Sequence, residues 1–109
     1  MQEYDLYVNV VLENIVKIEK SFSKLKESEF LKDSNLQDAT LMRLQVVGEN
    51  VKKIPSKLKN KEVNWKKFEK LRNLISHRYD TIDYKLVYNF IKVNLNDLQI
   101  AVKKIKDEN

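Results

Sequence analysis

The stretch Glu3 to Lys26 reads EYDLYVNVVLENIVKIEKSFSKLK, with apolar residues at Val8, Val11, Ile15, Ile18, Phe22 and Leu25. Their intervals of 3, 4, 3, 4 and 3 are the period of a helix that buries one stripe. Asn14 lies on the flank of that stripe and is expected to be solvated. One glycine and one proline in 109 residues leave almost no turn chemistry for hairpins, so the expected fold class is all-α.

Working outward from this first helix, Ser28 to Ser34 is a break with room for one short helical turn, where Phe30 and Leu31 can plug a core. Asn35 is the expected N-cap of a second helix, with Asp38 supporting its positive end. The buried stripe there is Leu44, Val47, Val51 and Ile54, and Pro55 ends the helix. Gly48 stands in mid-helix, where glycine costs up to about 1 kcal/mol relative to alanine, which implies close approach by another helix. Ser56 to Val63 carries lysines and few apolar groups and reads as the flexible loop of the chain. A third helix, capped by Asn64, buries Trp65, Phe68, Leu71 and Ile75 and ends near His77 to Tyr79. Asp80 to Asp83 is a short connection with Asp83 as the next N-cap. The last helical region uses Tyr84, Val87, Ile91, Leu95, Leu98, Val102 and Ile105, with Asn94 and Asn96 marking a site for a kink or break. The sum is a single domain over residues 1–109, an antiparallel bundle of four to five helices. A chain of this length buries roughly two thirds of its unfolded surface in one core.

The chain has no cysteine, which removes disulfides and thiolate metal sites and suits a reducing compartment. No apolar run approaches the roughly 20 residues needed to span a bilayer. The start, Met1 to Asp5, lacks the basic segment of a signal peptide, so a soluble cytoplasmic protein is expected. Formal net charge is +5, and its placement is uneven. From Val51 to Arg72 nine bases face only Glu62 and Glu69, a balance of +7 that leaves −2 for the remaining residues. Such a cluster is either the footprint of a polyanion-binding surface or a lysine-rich solvated loop.

That basic segment leads into Arg72-Asn73-Leu74-Ile75-Ser76-His77-Arg78-Tyr79, which holds the only histidine and two of the three arginines. On an ideal helix Arg72 and His77 stand about 140° and about 7.5 Å apart, so they flank a face rather than stack on it. Histidine, with an ordinary pKa near 6.5, suits the removal of a 2′-hydroxyl proton or the delivery of a proton to a leaving 5′-oxygen. Arginine, planar and permanently charged, suits the phosphorane between those steps. No metal or cofactor is required for this route, and the chain lacks the clustered Asp and Glu of a two-metal nuclease. Read alone, His77 is equally compatible with a helix cap or a packed ring. Tyr79 is compatible with base stacking or core closure, and Tyr4, Tyr7, Tyr84 and Tyr88 with ordinary core or rim.

The pattern R-N-x-x-x-H-x-Y, late in a small helical chain, resembles the catalytic signature of HEPN-domain ribonucleases, specifically the HepT-like toxin family. Gln37-Asp38-Ala39, Val46 to Glu49, Lys52 to Pro55, Val63-Asn64-Trp65 and Tyr79 to Asp83 resemble that family as well, out to about Leu98. The resemblance implies a HEPN-type bundle, a homodimer whose two copies of the motif share one cleft, and a metal-independent RNA endonuclease with Arg72 and His77 as catalytic residues. It implies a supporting role for Asn73, orienting phosphate or histidine. It also implies a type VII-like toxin–antitoxin pair, in which a nucleotidyltransferase antitoxin adds AMP to Tyr79. Lys57, Lys59, Lys61, Lys66, Lys70 and Arg78 are the expected RNA contacts. Arg78 departs from the family, whose members often carry an acidic residue there. Two alternatives stand beside this reading: a non-catalytic helical module that binds a nucleotidyltransferase or a nucleotide, and a purely structural dimerisation bundle.

Overall fold

Amphipathic periodicity becomes five α-helices in the computed structural model, which describes residues 2–61 and 63–108. They are α1 (Glu3–Phe22), α2 (Glu27–Phe30), α3 (Ser34–Lys53), α4 (Lys66–His77) and α5 (Tyr84–Glu108). Two single 3₁₀ turns, Ser56–Leu58 and Tyr79–Thr81, join α3 to α4 and α4 to α5. No strand occurs among the described residues, and the expected all-α bundle is the observed one.

The long helices pack antiparallel. Arg43 Nη1 donates to Ser21 Oγ at 3.2 Å and Lys53 Nζ lies 5.4 Å from the Tyr7 ring centroid, so α3 runs back along α1. Tyr88 Oη and Lys92 Nζ donate to the carbonyls of Leu25 and Phe22, which sets α5 antiparallel to α1. The Phe68 and Phe90 rings meet edge to face at 5.2 Å and close the bundle between α4 and α5. Every stripe residue named above is buried except Leu25 and Tyr84, which are half-buried. Together the stripes form one core. Phe30 on α2 is fully buried against Phe22, Tyr84 and Tyr88, whereas Leu31 faces solvent.

Several local expectations are corrected. Helix α1 stops at Phe22 rather than Lys26. The cap of α3 is Asp33, whose Oδ1 accepts from Leu36 N at 3.0 Å, not Asn35. Asn64 does not cap α4, which starts after Trp65 without a side-chain cap. Asp83 does cap α5, accepting from Lys85 N and Leu86 N. Helix α5 runs unbroken past Asn94 and Asn96, and Asn94 Nδ2 donates to the Phe90 carbonyl of its own helix. Asn14 does the same toward Val10 and is part-buried, not solvated. Within the loop, Leu58 N and Lys59 N donate to the Pro55 and Ser56 carbonyls, and Trp65 Nε1 donates to the Asn60 carbonyl at 2.9 Å. Glu62 of that loop, with Met1 and Asn109, lies outside the described residues. Among the described residues no helix is long and apolar enough to cross a membrane.

Candidate active site

Helix α4 is held by its buried side, Phe68, Leu71 and Ile75, with Trp65 buried just before its first turn. Arg72 stands half-buried on the flank that meets α3, while Asn73, Ser76 and His77 are exposed. Arg72 and His77 lie on this one continuous helix, with His77 its last residue, as the spacing predicts.

Gly48 decides where Arg72 stands. A Cβ added at Gly48 would sit 2.5 Å from Arg72 Cβ and 2.8 Å from the Phe68 carbonyl oxygen. Helices α3 and α4 therefore touch backbone to backbone at this point, the close approach that a mid-helix glycine predicts. The same crossing sets Glu49 opposite Arg72, and its carboxylate meets the guanidinium Nη2 at 2.7 Å. Arg72 Nη1 donates to Asn73 Oδ1 at 3.2 Å. The fork is thus aimed by two side chains, while its remaining N–H donors stay open to an anion. Arg72 lines a recess of about 250 Å³ between α3 and α4, with Met42, Gln45, Val46, Glu49 and Ser76.

The His77 imidazole is exposed, and no hydrogen bond or ion pair among the described residues engages it. Arg78, also exposed, terminates the helix by donating its N–H to the Leu74 carbonyl at 2.9 Å. Tyr79 follows in the 3₁₀ turn and is 54 % exposed, whereas Tyr4, Tyr7, Tyr84 and Tyr88 are half-buried against the core. Burial holds the Tyr84 phenol above its ordinary value, with the Asp38 carboxylate and Tyr79 adding to that push.

The lysines are divided by the fold. Lys59, Lys61 and Lys66 line a second recess, of about 620 Å³, at the other end of the α3–α4 seam. Lys57 and Lys70 are exposed outside it. Lys52, not among the residues singled out for RNA contact, joins the recess from the last turn of α3. Glu49 was missed as a site residue as well. Its signal was indirect: the residue after a glycine that admits another helix stands next to whatever that helix presents. Among the described residues no group of three or more His, Cys, Asp or Glu is placed to hold a metal ion.

Known proteins resemble this chain in sequence. The family described as Ribonuclease HepT-like matches residues 11–105. A Methanocaldococcus jannaschii protein, whose name joins a gamma-glutamylcyclotransferase to a provisional RNase, is 28% identical over 98% of this chain and 49% of its own length. This chain thus spans about half of that relative. A second M. jannaschii protein, provisionally named an RNase, is 34% identical over 89% of this chain and 83% of its own. A Thermococcus cleftensis protein named "Probable ribonuclease HepT" is 26% identical over 92% and 93%. No solved structure matches. The match over residues 11–105 takes in α3, α4, the Arg72 to Tyr79 motif and most of α5, and the chain belongs to the ribonuclease HepT-like family.

Proposed function

We propose that the protein is a metal-independent RNA endonuclease that acts as a homodimer and serves as the toxin of a type VII-like toxin–antitoxin pair. The observation that carries the reading is the α3–α4 crossing. It presents an arginine fork aimed by Glu49 and Asn73, on the helix that ends in an exposed histidine. Membership of a ribonuclease family supports the choice of RNA as substrate.

In the reaction His77 takes the proton of a ribose 2′-hydroxyl, and the freed oxygen attacks the adjacent phosphorus. Arg72 neutralises the added negative charge of the phosphorane. The bond from phosphorus to the 5′-oxygen breaks, that oxygen takes up a proton, and the other product keeps a 2′,3′-cyclic phosphate. One open helix end has a single histidine for two proton transfers. A two-fold axis over this face supplies a second one, and the exposed Met42 beside Arg72 offers apolar surface for such a contact.

Purified protein is expected to cut single-stranded RNA in the presence of EDTA and to leave 2′,3′-cyclic ends. His77→Ala should lose cleavage while keeping its far-UV circular dichroism. Cleavage that persists in folded His77→Ala, or that vanishes with EDTA, refutes the mechanism.

Control runs through Tyr79. Its phenol oxygen attacks the α-phosphorus of ATP bound to the nucleotidyltransferase antitoxin, pyrophosphate leaves, and the phenol proton passes to a base of that enzyme. The adduct places a phosphodiester and an adenosine beside His77, where the negative charge repels RNA and competes for Arg72. Among the described tyrosines only Tyr79 is exposed, which favours its selection over the other four. Tyr79→Phe should retain most ribonuclease activity and escape neutralisation by the antitoxin and ATP. Intact-mass and peptide mapping should find the added AMP on Tyr79. Silencing of Tyr79→Phe by the antitoxin and ATP would move control to another residue.

A further inference from the structure

The two recesses of the α3–α4 seam are parts of one track. The helices run antiparallel with Glu49 opposite Arg72. Three residues along each helix from that pair, in the direction away from His77, stand Lys52 and Glu69, and both line the larger recess. Residues three apart share a helix face, so this recess lies on the same side of the seam as the Arg72 recess. Its wall carries Lys52 from α3, Lys59 and Lys61 from the connection, and Lys66 from the start of α4. Among the described lining residues Glu69 is the one carboxylate.

This is a built recess rather than a lysine-rich surface. The connection that forms it is pinned by the Trp65 Nε1 bond to the Asn60 carbonyl. Lys59 Nζ is held 5.9 Å from the Trp65 ring centroid. Burial holds the Lys59 ammonium below the ordinary lysine value, against the opposing pull of Glu69. A cation already partly withdrawn from water gains more from an incoming anion than a fully hydrated one.

We propose that the recess bounded by Lys52, Lys59 and Lys66 is a second phosphate site for the RNA strand cut at Arg72 and His77. A strand leaving Arg72 then follows the α3–α4 seam and is clamped at the far end. This inference rests on the ribonuclease reading and adds a length requirement to it. Lys66 lies six residues from Arg72, about 9 Å along the axis of α4. Phosphates of a stacked strand rise about 3.4 Å each, so the interval holds at most about three nucleotides, and fewer when the strand is extended. A dinucleotide cut at Arg72 cannot reach the recess, whereas a longer strand fills both sites. An acidic peptide is the competing occupant. RNA is favoured because the recess opens on the seam that Arg72 occupies.

The test measures binding to the His77→Ala protein, so that cleavage does not intrude. Labelled single-stranded RNAs from a dinucleotide to about ten nucleotides are titrated across salt concentrations. Affinity is expected to step up once the strand spans the seam. Lys52→Gln/Lys59→Gln/Lys66→Gln should abolish that step and lower the salt slope by about 0.7, the contribution of one phosphate contact on a single strand. Lys52→Gln/Lys66→Gln, which leaves Lys59 on Trp65 and so preserves the connection, should weaken the step and lower the slope by less than the triple variant does. A charge-matched control on α1 and the turn after it, Lys17→Gln/Lys20→Gln/Lys24→Gln, should keep the step. Circular dichroism and Tm confirm the fold of each variant. An unchanged step and slope in the lysine variants would overturn the second site and leave the ribonuclease reading untouched. Octaglutamate binding that depends on these lysines, with RNA binding that does not, would assign the recess to an acidic protein and overturn it too. Absence of RNA binding at every length, together with no cleavage by the wild type, refutes the ribonuclease reading itself.

Discussion

Arg72→Ala is expected to lower kcat/KM for RNA about a thousandfold, close to 4 kcal/mol of transition-state stabilisation, while the bundle stays folded. The size of the effect follows from the task. The phosphorane carries one more negative charge than the ground state, and a preorganised fork stabilises that difference more than it stabilises bound substrate. Glu49 at 2.7 Å and Asn73 at 3.2 Å supply the preorganisation.

Retention of the fold follows from two observations. The Arg72–Glu49 pair is open to water, its side chains 36% and 45% exposed, so its loss costs at most about 1 kcal/mol of stability. The packing contact at Gly48 is made through Arg72 Cβ, which alanine keeps. Arg72→Lys separates charge from shape: it keeps the charge but lacks the planar fork, and should recover only part of the loss. Single-turnover cleavage of a labelled RNA, with Tm recorded for each variant, measures both quantities. Activity within a few-fold of wild type in folded Arg72→Ala would remove Arg72 from the chemistry.

The stripes and the site differ in how much of them the sequence carries. A stripe is a local property, so Val8 to Phe22 on α1 and Val87 to Ile105 on α5 could be assigned from spacing alone, and they are buried as expected. Helix ends were harder because asparagine has two opposed uses. It can cap a helix from outside or bond back to the fourth carbonyl before it from within. Asn14, Asn50 and Asn94 take the second course, and α5 continues where a break was allowed for. Asp33 outcompeted Asn35 as the α3 cap because its carboxylate reaches the Leu36 N–H.

The motif was legible as a set of residue types, and its helix as a period. The Glu49–Arg72 pairing was not, since it depends on how α3 registers against α4, a relation between segments 23 positions apart. Lys52 was passed over for the same reason. It belongs to a different helix from Lys66, and only the crossing brings the two to one recess. Gly48 was the one residue in the chain that announced such a crossing in advance, though not what it would bring together.

Gly48→Ala is accordingly expected to damage stability and catalysis together, against the ordinary trend for glycine in a helix. In an exposed mid-helix position the exchange would stabilise by up to about 1 kcal/mol, because alanine is the better helix former. Here the added methyl would lie 2.5 Å from Arg72 Cβ and 2.8 Å from the Phe68 carbonyl oxygen, and the second of these is backbone. No rotamer change moves a carbonyl that is part of the α4 ladder, so α4 as a whole must shift. Overpacking of this kind costs about 1–3 kcal/mol, which outweighs the gain in propensity over most of that range. The net loss, up to about 2 kcal/mol, corresponds to a fall in Tm of as much as several degrees for a domain of this size. The shift acts on Arg72, the residue proposed to bind phosphate. It carries the Arg72 stem away from Glu49, and a displacement near 1 Å at a catalytic group can cost about a hundredfold in rate. A drop in kcat of tenfold or more is therefore expected even at temperatures where the variant is fully folded. Gly48→Val should be worse on both counts, because its branches meet the same carbonyl. Thermal unfolding and single-turnover cleavage well below Tm distinguish the two losses. A Gly48→Ala protein as stable as wild type, with unaltered kcat, would show that α3 and α4 have room to spare and that the site does not depend on their contact.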